Sequence, residues 1–292
     1  MTLYNLLNEG SSTLQQAGDT DAENDAKLLL LNAFDLNLVH FLMDRLRPLS
    51  ETDAAVQEQI QNYRAMVAKR ASRVPLQQIL GSQEFMGLDF FVNEHVLIPR
   101  QDTETLVELV LEEQQGKQQE EQQEKQQEQQ PEEQQKKQRE QQSEEQQKKQ
   151  RGQKPEKSRK LLDLCTGSGC IAISLAVKGG FESVTATDLS EEALKVAERN
   201  ARTHQVPIRF FQGDLFSALP QSEEKTFDVI TSNPPYIPTA VIATLEPEVR
   251  EHEPMMALDG TEDGLKFYRQ IAKEAGSWLK PGGSIYLEIG YD

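Results

Sequence analysis

The sequence predicts an α/β protein built on a parallel sheet, preceded by a small helical domain and a hairpin. Three observations carry this. From Lys160 to Ile289, short and nearly continuous apolar runs alternate with stretches of helical spacing, the texture of βαβ units whose strands are buried on both faces. Up to about residue 80, only helical spacing occurs. Around residues 83–99 the apolar residues cluster into two short extended runs. The expected organisation is a helical domain over 1–82, a hairpin linker over 83–99, and an α/β domain over 100–292 interrupted at 112–158.

In the helical domain, Ala26-Lys-Leu-Leu-Leu-Leu-Asn-Ala-Phe34 and the run Ala54 to Ala71 place apolar residues on one helical face. Ser50-Glu-Thr-Asp53 reads as a helix start, with a capping hydroxyl and acids in the first turn. No residue of this domain has a recognisable catalytic setting, so a packed bundle is the expectation, and a partner-docking surface is compatible with it. Glu84 to Val92 and His95 to Ile98 read as two strands about a turn at Asn93-Glu94. After Pro99-Arg100, Asp102-Thr-Glu-Thr105 opens a helix that runs through Leu111.

No large apolar residue occurs between Leu111 and Leu161, where the chain is almost wholly Gln, Glu and Lys. Such a tract offers no a and d positions for a coiled coil and cannot bury a core. It is expected to be a disordered insertion, dispensable for chemistry.

The parallel sheet is then predicted strand by strand. Lys160-Leu-Leu-Asp-Leu164 is the first strand, followed by a tight turn at Thr166-Gly-Ser-Gly169 and a helix over Cys170 to Val177. Ser183 to Asp188 is the second strand, and Ser190 caps the helix that follows, with Glu191 and Glu192 in its first turn. Ile208 to Phe211 is the third strand and Phe227 to Ser232 the fourth, which Pro234 and Pro235 must stop. A helix from about Asp263 to Leu279, a turn at Pro281-Gly-Gly283 and a fifth strand, Ser284 to Ile289, complete the pattern.

Composition removes several classes of function. A formal net charge of −17 argues against a generic nucleic-acid binder, which needs clustered Lys and Arg. Cys165 and Cys170 are the two cysteines, which is no disulfide framework and points to a reducing cytosol. Both read as small buried hydrophobes. The four histidines are scattered and give no metal-ligand spacing. No apolar run approaches the roughly 20 residues of a membrane helix, and the first residues lack the basic and apolar regions of a signal peptide. The expectation is a cytoplasmic monomer with no metal and no direct contact with membrane or nucleic acid.

Two stretches carry chemistry. Gly167-x-Gly169-x-x-Ala172 lies between a strand and a helix, with Asp188 about 20 residues on. Glycines let the backbone approach a ligand, and an acid at the next strand tip suits ribose hydroxyls. This segment alone leaves the nucleoside cofactor open between NAD and S-adenosylmethionine. Asp214 could accept from an adenine amino group or simply cap a turn. Leu215 or Phe216 could pack on the adenine or in the core. The second stretch is Asn233-Pro-Pro-Tyr236, at the carboxyl edge of the sheet where ligands bind in such folds. The Asn233 carboxamide can pair with a planar amide or amino group, the proline backbone aims a carbonyl at the same N–H, and Tyr236 can stack on the plane. A hydride-transfer site would instead want an acid or base near its alcohol.

Together, Gly167-x-Gly169, Asp188, Asp214 and Asn233-Pro-Pro-Tyr236 resemble class I S-adenosylmethionine-dependent methyltransferases that modify a planar nitrogen. More narrowly, Pro75-Leu-Gln-Gln-Ile-Leu-Gly81, Phe85-x-Gly87, Ile98-Pro-Arg-Gln-Asp-Thr-Glu104, Glu253-Pro-Met-Met-Ala-Leu-Asp-Gly260 and Asp263-Gly-Leu265 are similar to the HemK-like release-factor glutamine methyltransferases. The resemblance implies a Rossmann-like sheet, a helical N-terminal domain and a hairpin linker. It also implies methylation of the glutamine amide in the Gly-Gly-Gln loop of peptide chain release factors, with S-adenosylmethionine as donor. On this basis Cys165, Thr166, Gly167, Ser168, Gly169 and Asp188 hold the cofactor with Asp214, Leu215 and Asn233, and Arg100 and Thr103 close over it from a loop. Asn233, Pro234, Pro235 and Tyr236 hold the substrate amide, with Asn233, Pro234 and Tyr236 as the catalytic group. A nucleobase amino methyltransferase shares the tetrapeptide, and a non-catalytic binding module is a third reading. The chain departs from the family pattern at Cys165 (usually Gly), Gln101 (usually Pro) and Gln78 (usually aromatic). The family sheet has two further strands beyond the fifth, so an exposed, destabilised sheet edge is expected here.

Overall fold

The computed structural model describes residues 1–50, 52–114, 116 and 159–290. Most of the Gln/Glu/Lys tract therefore lies outside the described residues. The chain forms two compact units: Met1–Pro99 with Pro235–Tyr268, and Arg100–Pro234 with Arg269–Asp292.

The first unit holds helices α1 (Leu3–Gln16), α2 (Ala22–Ala33), α3 (Leu38–Asp44), α4 (Ala54–Ala71) and α5 (Leu76–Leu80). Leu6, Leu14, Leu29, Leu30 and Tyr63 are fully buried at its centre. Gly10 brings α1 against α4: a Cβ there would lie 1.9 Å from the Tyr63 hydroxyl, which donates to the Leu6 carbonyl at 3.1 Å. The start of α4 differs from expectation. Asp53 is the cap, its Oδ1 accepting from the Ala55 N–H at 2.9 Å, and no acid lies in the first turn. A carboxylate one residue from the helix outcompetes the more distant Ser50 hydroxyl for those N–H groups.

The hairpin pairs β1 (Ser82–Phe85) with β2 (Leu88–Phe91). Its turn falls at Met86-Gly87, with φ of 54° and 74°, not at Asn93-Glu94. Two consecutive left-handed residues give the hairpin twist that matches paired strands. Asn93 instead folds its side chain back onto the His95 N–H at 3.1 Å, and no strand forms over His95 to Ile98.

The same unit receives the chain after Pro235, as α9 (Thr239–Ile242), α10 (Pro247–His252) and α11 (Met255–Leu258), and holds the first residues of α12 (Lys266–Glu274). Arg70 ties α10 to α4. Its guanidinium meets Asp25 at 2.6 Å, Asp19 at 3.0 Å and Glu248 at 2.9 Å, and Arg73 adds a 2.7 Å pair with Glu248.

The second unit begins with helix α6 over residues 101–114 and continues into β3 (Lys160–Leu164), α7 (Cys170–Lys178), β4 (Ser183–Asp188), α8 (Glu191–Thr203), β5 (Ile208–Gln212), β6 (Phe227–Ser232) and β7 (Leu279–Leu287). The five strands are parallel, in the order β5-β4-β3-β6-β7. The chain moves outward from β3 to β5 and returns to the other side of β3 with β6. The β3/β6 boundary is thus the topological switch point, where ligands bind in open α/β sheets.

Two elements are reset relative to the sequence reading. The helix after the tetrapeptide is short, Lys266–Glu274. The fifth strand begins at Leu279, and Pro281-Gly-Gly283 is an irregularity within it: Leu279 pairs with Phe227 and Ser284 with Val229. The chain absorbs these extra residues with Gly282 at φ 81°, and Lys280 reaches back to Asp228 at 2.7 Å. Among the described residues β7 has a strand neighbour on one side only, with Ile285 and Ile289 exposed.

Candidate active site

The switch point sets the end of β3 beside the end of β6. Leu164 is in register with Ser232, whose hydroxyl donates to the Leu164 carbonyl at 2.9 Å. The loop leaving β3 is wound tightly, with Cys165, Gly167 and Gly169 all left-handed at φ 55°, 54° and 82°. The two glycines do different jobs. Nothing lies within 4 Å of a Cβ built on Gly167, so this residue leaves open space in front of the loop. A Cβ on Gly169 would lie 2.9 Å from Ile173 Cδ1 and 3.2 Å from Ala197 Cβ, so this glycine lets the loop close against α8. From α8, buried Asn200 donates its Nδ2 to the Ser168 carbonyl at 2.9 Å. Asn200 escaped the sequence reading, because a polar residue on an amphipathic helix gives no sign of facing inward.

Asp188, at the tip of β4, accepts from the Gly167 N–H at 2.8 Å and the Ser190 N–H at 2.9 Å. Burial pushes its carboxyl above the usual carboxylate range, against these backbone bonds and one from Leu189. A carboxylate has roughly four acceptor positions, so it can still take a ribose hydroxyl. Open space before Gly167 and acceptor capacity on Asp188 fit S-adenosylmethionine.

Asp163, near the end of β3, joins the glycine loop to β6. It is fully buried and accepts from the Thr166 hydroxyl at 2.6 Å and the Thr231 hydroxyl at 2.8 Å. Burial pushes its pKa up to about 7 despite both bonds.

Asn233 follows β6 directly. Its Nδ2 donates to Thr103 Oγ1 at 3.4 Å. Burial pushes the nearby Glu288 carboxyl above the usual carboxylate range, with Thr103 and Asn233 acting in the opposite sense. The Glu288 N–H donates to the Ser232 carbonyl at 3.0 Å, fixing its backbone next to Asn233. Thr103 is buried in the first turn of α6, not carried on a loop as expected. Arg100 precedes that helix, its carbonyl accepting from the Thr103 N–H at 3.1 Å. Glu288 is a second residue that sequence reasoning passed over, since nothing in an apolar strand end marks its acid as inward-facing.

Asp214 is exposed at the end of β5, and its side chain caps no backbone N–H of the 3-10 turn Leu215–Ala218. Leu215 and Phe216 are buried, and Phe216 stacks on Trp278 with centroids 5.7 Å apart, which is core packing. Cys170 is buried and Cys165 half-buried. Burial raises both thiols, Cys170 to about 12, so neither is a thiolate nucleophile. No group of metal-ligating side chains occurs among the described residues.

Pro234 and Pro235 are buried, and the chain passes between the two units at this peptide bond. Tyr236 belongs to the first unit, where two glycines grip its backbone. A Cβ on Gly260 would lie 2.7 Å from Tyr236 Cα, and one on Gly264 would lie 2.2 Å from its carbonyl oxygen. Ile237 bridges Asp259, with its N–H on the Leu258 carbonyl at 3.0 Å and its carbonyl accepting from Gly260 at 2.9 Å. Glu253 is buried, and its Oε1 accepts from the Ile98 N–H at 3.4 Å. Within this unit the motif segments thus meet in pairs, Ile98 with Glu253, and Tyr236 with Gly260 and Gly264.

A parallel sheet whose switch point joins a glycine loop to an Asn-Pro-Pro-Tyr strand end defines a class I S-adenosylmethionine-dependent methyltransferase. Residues 150–245 match the methyltransferase small domain, and residues 5–81 match the PrmC N-terminal domain. The chain is 36% identical to the release factor glutamine methyltransferase of Geobacter sulfurreducens, over 99% of this chain and 84% of that protein. It is 34% identical to that of Agrobacterium fabrum over 96% and 82%, and 32% identical to that of Bacillus cereus over 99% and 87%. The chain belongs to the release factor glutamine methyltransferase family.

Proposed function

We propose that this chain methylates the side-chain amide nitrogen of the glutamine in the Gly-Gly-Gln motif of peptide chain release factors, with the residues at the β3/β6 switch point doing the work. S-adenosylmethionine supplies an electrophilic methyl group on a sulfonium, which a nitrogen takes by in-line displacement. The loop from Cys165 through Gly169 cradles the donor, Asp188 accepts from its ribose, and Asp214 and Leu215 face its adenine. Arg100 and Thr103 complete that side. The Asn233 carboxamide and the Pro234 carbonyl accept from the two N–H groups of the substrate amide. Pro235 stiffens the segment, and Tyr236 stacks on the amide plane.

The observation that carries this reading is the junction itself. Asp163 holds the loop through Thr166 and the Asn233-bearing strand through Thr231. Donor and acceptor residues are therefore fixed to one buried carboxylate. Rate acceleration comes from holding the reactants in line and excluding water. No general base is assigned, since the amide nitrogen loses its proton after the methyl arrives. Residues 1–82 dock the release factor, 83–99 link, and 100–292 perform the transfer. The protein works as a cytoplasmic monomer in translation termination, without direct nucleic-acid or membrane contact.

A release factor incubated with this chain and S-adenosylmethionine should gain one methyl group on the Gly-Gly-Gln peptide by mass spectrometry. Transfer of labelled methyl to RNA or DNA in preference to release factor would overturn the assignment.

A further inference from the structure

We infer that Asn200 is a positioning residue for the cofactor: it holds the Ser168–Gly169 peptide so that the glycine loop has its binding shape before S-adenosylmethionine arrives. This rests on the proposed role of that loop as the donor's cradle and adds what fixes its shape.

The loop is built on Cys165, Gly167 and Gly169, all left-handed. Its glycines give the backbone wide freedom. A ligand that had to order such a loop would lose affinity to the conformations it removed. Here the peptides on either side of Gly167–Ser168 are already held. Before it, the Gly167 N–H donates to Asp188 at 2.8 Å. After it, the Ser168 carbonyl accepts from Asn200 Nδ2 at 2.9 Å, and the Gly169 N–H donates to the Thr166 carbonyl at 2.8 Å. The Ser168–Gly169 peptide is thus pinned at both polar ends. The Gly167–Ser168 peptide is left at the open side of the loop, where a Cβ on Gly167 would meet nothing within 4 Å.

Helix α8 supplies this fixation. Its other buried residues, Ala193, Leu194, Val196, Ala197 and Ala201, are apolar. An amide buried among them costs free energy unless its hydrogen bonds are made. Asn200 Nδ2 makes its bond outside its own helix, to a loop residue 32 positions back in sequence. About one turn earlier, Ala197 Cβ lies 3.2 Å from where a Cβ on Gly169 would stand. At the start of the helix, Asp188 joins the Gly167 N–H to the Ser190 N–H at 2.9 Å, and the Ser190 hydroxyl caps the helix through the Ala193 N–H at 3.1 Å. The loop is therefore tied to α8 at Gly167, Ser168 and Gly169. Of these ties, the Asn200 bond can be removed without touching the loop itself or the acid assigned to the ribose.

The test compares Asn200→Ala with Val196→Ala, which truncates another buried α8 side chain, both in the full chain. Both should lower the melting midpoint. Calorimetric affinity for S-adenosylhomocysteine should fall about 3- to 10-fold in Asn200→Ala, the fold-change that one lost hydrogen bond implies, and stay within about twofold in Val196→Ala. In ligand-free protein, 15N relaxation of the Ser168 and Gly169 amides should give order parameters of about 0.85 in the parent and below about 0.6 in Asn200→Ala, recovering when S-adenosylhomocysteine saturates the site. On release factor, Asn200→Ala should raise the KM for S-adenosylmethionine by the factor lost in product affinity. Its KM for release factor and its kcat at saturating donor should match the parent. Unchanged S-adenosylhomocysteine affinity in Asn200→Ala would overturn the inference. So would an equal loss in Val196→Ala, loop amides that stay rigid in ligand-free Asn200→Ala, or a parent chain that binds no S-adenosylhomocysteine. If the parent binds it but methylates no release factor, the proposed function fails, while affinity and relaxation still judge Asn200.

Discussion

Asp163 and Thr231, 68 residues apart in sequence, meet through a 2.8 Å hydrogen bond in the interior of the parallel sheet. The acid is on β3 and the hydroxyl on β6, so the bond spans the switch point two residues before Asn233. The other oxygen of Asp163 takes the Thr166 hydroxyl at 2.6 Å, which makes the carboxylate the common anchor of the glycine loop and the strand that leads to Asn233.

This anchor gives a stability profile with a definite sign. The Asp163 pKa is about 7 in the folded protein against 3.8 for the ordinary group. The folded state therefore binds more protons than the unfolded chain between those values, and stability falls as pH rises from about 4 to about 7. The free-energy difference between the parent chain and Asp163→Asn should shrink across that window and level off above it. Urea unfolding at a series of pH values measures this. A difference independent of pH would show that Asp163 titrates normally.

Cys165 occupies a left-handed position, φ 55°, without being glycine. The conformation costs an L-residue about 1–2 kcal/mol, part of which glycine would return as unfolded-state entropy. Cys165→Gly should raise unfolding free energy by about 0.5–1 kcal/mol and keep activity. Cys165→Val, β-branched at the same φ, should lower it by more than about 1 kcal/mol. Chemical denaturation of the two variants checks the order.

Gly264 grips Tyr236 from behind. A Cβ at this φ of +72° would stand 2.2 Å from the Tyr236 carbonyl oxygen. Gly18, at φ +81°, has nothing within 4 Å and isolates the backbone term. Gly264→Ala should cost roughly 1–3 kcal/mol more than Gly18→Ala, the usual penalty of overpacking. It should also slow methyl transfer by shifting Tyr236, which Gly18→Ala leaves in place. Equal effects of the two substitutions would argue against the contact.

Arg70 is buried with three carboxylates, at 2.6, 2.9 and 3.0 Å. Truncating it leaves buried charge without a partner, which costs about 3–5 kcal/mol. Arg70→Ala should lower the melting midpoint of the unit built from Met1–Pro99 and Pro235–Tyr268 by several degrees. Arg64→Ala, which removes only an exposed pair with Glu9, should cost under about 1 kcal/mol. Calorimetry of both variants tests the contrast.

The sequence by itself determined the alternation of strands and helices, the glycine loop, Asp188 and the Asn-Pro-Pro-Tyr strand end. Each of these is written in local chemistry: apolar periodicity, a turn needing left-handed residues, prolines that stop a ladder. Local reading failed where nearby signals competed, as at the hairpin, where Asn93-Glu94 looked like the turn and Met86-Gly87 is the turn. What Asp163, Asn200, Glu288, Gly260 and Gly264 touch appears only in the folded chain. Apart from Thr166 beside Asp163, their partners lie 24 or more residues away, and an acid, amide or glycine shows its partner only when folding brings it within reach. Sequence spacing encodes periodicity along one element, whereas hydrogen-bond partnership across elements depends on strand order, and strand order is fixed by packing the whole sheet.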